Sequence, residues 1–370
     1  MQQEKTMSPT LIARRVAWCL LAIFCTLGPA NAARGDDKIK QVDQLNNLPL
    51  RTYVITFDQS GKRLATVDSR SIRVWDIQSK KQEVEIKLDP KERAMRLYFS
   101  KDGQQLLAPA SGNSDTEAAL RTWDLATGNR VPSKFSYESV RQATFSADWK
   151  TVAIWTLPQR ANNAKLFDVV TNKELATLPS VTTGWIDLSP DGKTVYMAFV
   201  WRVPASTNGS FGVSGDNPIL WDIQAKQFTD LKNSNILTFN NQYSGFSPDG
   251  AYYALGYGGP NRKFPSHDYS TVMIWDVRNR KPKTKFPVQN RIDGFAFSPD
   301  SKVFAACDFS GRVTFVEVAT GRILARIKEG VVSQPIAFSP DGKFFVAPSR
   351  LNNNPGNTIL FFDATTLLKE

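Results

Sequence analysis

Catalysis by proton transfer or nucleophilic attack draws on His, Cys and paired carboxylates, and phosphate chemistry draws on Gly-rich loops. This 370-residue chain is poor in the first two, with one His, His267, and three Cys, of which only Cys307 lies beyond residue 32. A Ser-His-Asp or Cys-His arrangement could therefore use only His267 or Cys307. His267 stands in a Pro- and Gly-rich stretch that reads as exposed loop, and Cys307 follows the apolar run Val303-Phe304-Ala305-Ala306 and reads as core. A single His and a single Cys do not supply the clustered ligands a metal needs. Asp191, Asp249, Asp300 and Asp341 resemble a set of carboxylates for acid-base work, but each follows Ser-Pro in the same local context. An Asp in that context bonds its own turn backbone. Gly256-Tyr257-Gly258-Gly259 lacks the Lys-Ser/Thr that a phosphate loop requires. The expectation is a protein that is not an enzyme, without cofactor or metal.

The elements that carry these residues follow from an internal repeat, which is the signature of a stacked array. An aromatic or Leu followed by Ser-Pro-Asp-Gly or a variant recurs at Phe57 (FDQSGK), Phe99 (FSKDGQ), Phe145 (FSADWK), Leu188 (LSPDGK), Phe246 (FSPDGA), Phe297 (FSPDSK) and Phe338 (FSPDGK). Some 20 to 30 residues after each comes an apolar run closed by an aromatic and an acid. These pairs are Trp75-Asp76, Trp123-Asp124, Phe167-Asp168, Trp221-Asp222, Trp275-Asp276 and Phe362-Asp363, with Val316-Glu317 in the sixth unit. Pro presets φ, Asp caps the backbone and Gly accepts positive φ, so the first motif is a tight reversal between two strands. A third strand ends at the aromatic-acid pair, and a turn such as Ala126-Thr127-Gly128 leads to a fourth, more polar one. Four antiparallel strands make one blade, and seven blades make a closed all-β propeller.

In these motifs the chain resembles the WD-repeat β-propellers, whose blades end a strand in Trp-Asp and carry the Ser-Pro-Asp-Gly hairpin. The resemblance covers essentially everything after residue 32. It implies a single domain over residues 33–370 that works through binding surfaces. The family's Gly-His dipeptide is missing from every blade, and only Asp68 and Asp308 stand at its turn-aspartate position.

The last unit has only residues 364–370 after Asp363, too few for a fourth strand and its turn. Residues of about 38–48 are placed like the outer strands of other units, so they are expected to complete the last blade and remove its open edge. Residues 1–32 read as a secretory signal, with Arg14 and Arg15 before an apolar run over 16–27, then Gly28-Pro29 and Ala30-Asn31-Ala32. Twelve apolar residues fall short of the roughly twenty that a membrane span needs, so cleavage near Ala32, no stable membrane span and a periplasmic or extracellular product are expected. The net charge is +11, and Lys5, Arg14 and Arg15 against Glu4 place +2 of it in that leader. The balance favours anionic partners such as acidic polysaccharide, while export argues against nucleic acid. The basic run Arg278, Arg280, Lys281, Lys283 and Lys285 reads as edge protection on an outer strand.

Ordinary blade loops are short, and long ones are commonly functional. Residues 201–217 and 257–271 occupy the same place, between second and third strands, in blades four and five. They carry Trp201, Arg202, Phe211, Arg262, Lys263, Phe264, His267 and Tyr269, the types enriched at binding hot spots. Asn352-Asn353-Asn354-Pro355 of blade seven leaves on the same face. The expectation is an exported, monomeric, non-catalytic scaffold that binds a protein partner through this rim. The alternatives are a propeller hydrolase or dehydrogenase with a channel site, and a module for anionic polysaccharide. Channel-lining polar clusters around a bound metal or cofactor would favour the enzyme, and a channel filled by apolar side chains the scaffold.

Overall fold

The computed structural model describes residues 34–35, 38–46, 48–90, 92–94, 96–111, 119–132, 140–156, 164–178, 183–199, 201–203, 212–214, 219–230, 244–257, 270–288, 290, 292–331, 335–349 and 357–367. All regular structure among them is strand. Two strands precede the first repeat, β1 (Arg34–Gly35) and β2 (Gln41–Leu45). Blade one is β3 (Val54–Phe57), β4 (Arg63–Val67), β5 (Ser71–Asp76) and β6 (Gln82–Lys87). In blade two the inner strand is split into β7 (Arg93–Ala94) and β8 (Tyr98–Phe99), followed by β9 (Gln105–Ser111), β10 (Ala119–Asp124) and β11 (Arg130–Val131). Blade three is β12 (Val140–Phe145), β13 (Thr151–Thr156), β14 (Ala164–Asp168) and β15 (Glu174–Thr177). Blade four is β16 (Thr183–Leu188), β17 (Thr194–Phe199), β20 (Ile219–Asp222) and β21 (Gln227–Asp230), with β18 (Trp201–Val203) and β19 (Gly212–Ser214) set into it as a separate two-stranded sheet. Blade five is β22 (Ser244–Phe246), β23 (Tyr252–Tyr257), β24 (Ser270–Asp276) and β25 (Lys281–Val288). Blade six is β26 (Ile292–Phe297), β27 (Val303–Asp308), β28 (Val313–Glu317) and β29 (Ile323–Glu329), and blade seven supplies β30 (Ala337–Phe338), β31 (Phe344–Pro348) and β32 (Ile359–Asp363).

Every blade is antiparallel in sequence order, and the fourth strand of blade seven is β2, which pairs β32 with Leu45 opposite Ile359 and Gln41 opposite Phe362. The expected seven-bladed ring closed by its N-terminal strand is therefore the fold. Lys80, in the turn after β5, holds the closing strand: its Nζ lies 2.6 Å from Asp43 Oδ2 and 4.4 Å from the centre of the Phe361 ring. The sequence did not announce β1, which adds a fifth strand to blade six by pairing β29.

Each half of the repeat has a clear local role. The turn Ser donates to the Asp two residues on, as in Ser189–Asp191 and Ser339–Asp341 at 2.6 Å. It also accepts the N–H five residues on, as at Thr194 (2.8 Å) and Phe344 (2.9 Å). The recurring aspartates thus serve their own turns, as the sequence implied. The acids of the aromatic-acid pairs close the next turn: Asp76, Asp124, Asp168, Asp222 and Asp276 each accept the N–H three residues on, and Asp363 accepts that of Thr365. The aromatics Trp75, Trp123, Phe167, Trp275 and Phe362 are buried and Trp221 is half-buried.

The apolar side chains form seven clusters, one at each junction between successive blades. Tyr196 and Leu220 of blade four meet Tyr253 and Trp275 of blade five. At the closure, Leu45, Leu48, Val346 and Phe361 meet Ile55, Leu64 and Trp75. Burial of such side chains, at about 25 cal/mol per Å² of apolar surface, drives the blades together. Cys307 is fully buried in the cluster between blades six and seven, as expected of a core thiol. Lys281, Lys283 and Lys285 stand exposed on the outer strand β25, where charges oppose edge-to-edge pairing.

Two turns break the pattern. The position that closes the first hairpin has positive φ in all seven blades, and five of them place Gly there: Gly61, Gly103, Gly192, Gly250 and Gly342. Blade six has Ser301 and blade three has Trp149, at φ 60°. A side chain in this left-handed region costs roughly 1–2 kcal/mol, so a Trp there calls for a reason.

Candidate functional site

Two places could carry function: the rim where the long connections leave, and the inner ring of strands. At the rim, the connection after β17 folds into the β18–β19 hairpin, with Trp201 opposite Ser214 and Arg202 opposite Val213. Trp201 and Arg202 thus lie on a small sheet outside the blade ladder. Phe211, Arg262, Lys263, Phe264, His267 and Tyr269 fall outside the described residues, as does Asn352-Asn353-Asn354-Pro355. The blade-five connection starts from the last ladder pair, Tyr257 opposite Thr271.

The inner ring holds a polar cluster that the sequence reading missed. The residue before the hairpin aromatic is Thr56, Tyr98, Thr144, Asp187, Gly245, Ala296 and Ala337 from blade one to blade seven. Asp187 alone is an acid, and four blades converge on it. Thr144 Oγ1 of blade three donates to Oδ1 at 3.0 Å. The backbone N–H groups of Leu188 and of Phe246 in blade five also bond the carboxylate. Arg96 of blade two places Nη1 3.7 Å from Oδ1, its side chain 24 % exposed against 13 % for Asp187. Gly245 makes room: a Cβ there would stand 3.0 Å from the Phe295 ring and 3.5 Å from Asp187 Oδ2.

Arg96 reaches this point because of local strand irregularity. Ala94 pairs Ala110 and Tyr98 pairs Leu107, so blade two carries one extra residue between β7 and β8. Such a bulge bends the strand and re-aims the neighbouring side chain. The same extra residue occurs between Val140 and Gln142 in blade three, and Gln142 Oε1 accepts the Ile186 N–H of blade four at 2.9 Å. Arg96 Nη1 also donates to Tyr98 Oη (3.3 Å), and Tyr98 Oη donates to the Ala143 carbonyl (3.0 Å). Deeper in the junction of blades four and five, Tyr196 and Tyr253 stack at 4.1 Å, and Tyr253 Oη donates to Ser244 Oγ at 2.8 Å. The Tyr196 hydroxyl approaches the same Ser without reaching hydrogen-bond geometry.

The electrostatics follow from burial. Desolvation pushes the Asp187 carboxyl above its ordinary range, and Arg96, Thr144 and the two backbone donors offset only part of it. Desolvation opposes the charge on Arg96, yet Tyr98 and Asp187 leave its pKa above the usual value. Burial also raises both tyrosines. A carboxyl of raised affinity for protons beside a fixed cation is a place where a polar ligand could be held or a proton exchanged. In the same column blades six and seven present Ala296 and Ala337, so its polar side chains gather on blades one to four, while Ile55, Phe295 and Ile336, one residue earlier, pack between blades. Among the described residues no group of three or more His, Cys, Asp or Glu side chains is arranged to hold a metal ion, and no helix is long and apolar enough to cross a membrane.

No protein-family model matches the sequence, and no curated protein matches it. The fold is similar to that of a solved structure described as Kuenenia stuttgartiensis hydrazine synthase, with a TM-score of 0.59 and 17 % identity over 88 % of this chain and 97 % of that one. At that identity the likeness shows the propeller fold alone.

Proposed function

We propose that this chain is an exported, non-catalytic member of the WD-repeat propellers, with residues 1–32 as a cleaved signal, that binds a protein partner through the rim of blades four and five. The observation that supports the reading most is the β18–β19 hairpin, a second sheet outside the blade ladder that carries Trp201 and Arg202. An added sheet with hot-spot residue types, on a ring whose repeat-motif aspartates bond their own turns, is suited to contact. Affinity purification of the full chain from its own envelope fraction, compared with Trp201→Ala and Phe264→Ala forms, is the test. A partner retained by the parent and depleted at least fivefold by either substitution is the expected result. Retention unchanged by both would remove the rim from the proposal.

A second reading places a small-ligand site, catalytic or not, in the inner ring, and the convergence of Arg96 and Asp187 favours it. Adding Asp187→Asn to that purification, with mass spectrometry of small molecules released from each form on denaturation, separates the two: the substitution leaves a rim partner bound and abolishes a ligand held at the inner cluster.

A further inference from the structure

The face opposite the long-loop rim, where the first hairpin of each blade turns, carries two clefts. Their positions follow how closely successive turns pack. Blades four to seven have Pro at the tip (Pro190, Pro248, Pro299, Pro340); the Gly of the following blade closes onto Pro190, Pro299 and Pro340, and Ser301 Oγ of blade six accepts the Asp249 N–H beside Pro248 at 3.1 Å. A Cβ on Gly250 would stand 3.6 Å from Pro190, one on Gly342 3.5 Å from Pro299, and one on Gly61 3.4 Å from Pro340. Blades one and two have Gln59 and Lys101 instead, and Gly103 has nothing within 4 Å. There the gaps stay open, whereas after blade three Gly192 closes onto Ser146 and Thr151, at 3.5 and 3.4 Å for an added Cβ. A cleft of about 720 Å³ lies between blades two and three, and one of about 490 Å³ lies between blades one and two. Lys101 and Asp102 line both, so the two meet across the tip of blade two.

Trp149, the one aromatic among the described non-Gly residues with left-handed backbone, lines the larger cleft. Its indole stacks on Phe145 at 4.4 Å, which fixes it as a platform. Pro132 and Val169 extend the apolar wall, and Val170 is 76 % exposed beside them. One part of the indole packs on the apolar cluster between blades two and three, which offsets the backbone cost, and the rest faces the cleft.

The chemistry of the walls selects the occupant. Across the two clefts Lys62, Arg63, Lys101 and Lys150 stand against Asp58, Asp102 and Asp148, a near balance that disfavours a polyanion. The amides that border the cleft are already bonded within the protein: Gly103 to Ser100 O, Trp149 to Ser146 O, Lys150 to Asp148 Oδ1 and Val170 to Asp168 Oδ1. A peptide that needs main-chain partners finds few. What is offered is an aromatic face bordered by carboxylates with spare acceptor sites and by ammonium donors. A pyranose has the complementary surface, an apolar C–H face and an edge of hydroxyls. We propose that this double cleft binds a neutral oligosaccharide, one ring lying on Trp149 and the chain running over Lys101 and Asp102 toward blade one.

Titration of the full chain with cellohexaose, xylohexaose, laminarihexaose and mannohexaose, followed by Trp fluorescence and calorimetry, tests this. At least one hexasaccharide should saturate the protein and bind at least tenfold more tightly than its disaccharide. Trp149→Gly should weaken that binding at least tenfold at a temperature where the variant is still fully folded by its melting curve, and Trp149→Tyr should keep most of it. Absence of binding by all four at millimolar concentration, binding indifferent to Trp149→Gly, or binding only of polygalacturonate or of a proline-rich peptide would each overturn the assignment. Loss of the rim partner through Trp201→Ala leaves this readout unchanged, so the two sites stand or fall separately.

Discussion

At the residue scale, Asp187 is the side chain whose environment has the most measurable consequence. Burial raises its pKa above the ordinary 3.8 despite Arg96 and three hydrogen bonds. Above that pH the native chain still holds a proton that the unfolded chain has released, so this group's contribution to stability falls as pH climbs from 3.8 through the raised native value. The turn acids behave in the opposite sense: hydrogen bonds from their turns lower Asp76, Asp124 and Asp168, and their contribution is lost as pH falls through those lowered values. Those acids are common to the parent and to Asp187→Asn and cancel between them. Thermal unfolding of both forms from about pH 4 to about pH 7 should therefore show the parent's advantage over Asp187→Asn shrinking as pH rises. An advantage that grows with pH would mean that the Arg96 ion pair outweighs desolvation.

At the element scale, the closing strand β2 joins first and last blades, and its two faces make a built-in control. Leu45 is buried among Leu48, Val346, Ile359 and Phe361, whereas Val42 is half exposed. Leu45→Ala should lower unfolding stability by about 2–4 kcal/mol, and Val42→Ala by no more than about 0.5 kcal/mol, as read from denaturant melts. Equal effects would mean that β2 merely rests on the ring. This strand was legible in the sequence because counting units left blade seven one strand short, and the seven turn motifs fixed where the other blades begin and end. The hairpin β18–β19 and the two-residue β1 were not legible, since runs of two or three residues carry no period. Arg96 was hidden for another reason: it follows a bulge, and a bulge is a matter of register against the partner strand β9. Asp187 did carry a signal, as the one acid in its column of seven inner-strand residues, visible only when that column is compared and not the turns.

At the scale of the whole molecule, the order of strands decides how the ring can open. Because β2 sits on blade seven and the chain then enters blade one, separating these blades requires either unzipping β2 from β32 or stretching residues 46–53. A permuted chain that begins at residue 49 and carries residues 33–48 after residue 370, on a short Gly-Ser linker, keeps every strand pair but removes that bridge. The positions favour it, since the Asp363 N–H already bonds the Lys40 carbonyl at 2.9 Å and Thr366 Oγ1 bonds that of Lys38. Full unfolding costs nearly the same in both chains, because the contacts and the size of the closed ring are the same. Partial opening does not: in the permuted chain only side-chain packing between blades seven and one resists it. The expected result is a Tm close to the parent's, with faster amide exchange confined to β3, β4, β31 and β32 and normal protection in blades three and four. Unchanged exchange at the junction would mean that the apolar cluster around Ile55, Trp75 and Phe361 secures the ring without the covalent bridge, and that β2 serves chiefly to cover an edge.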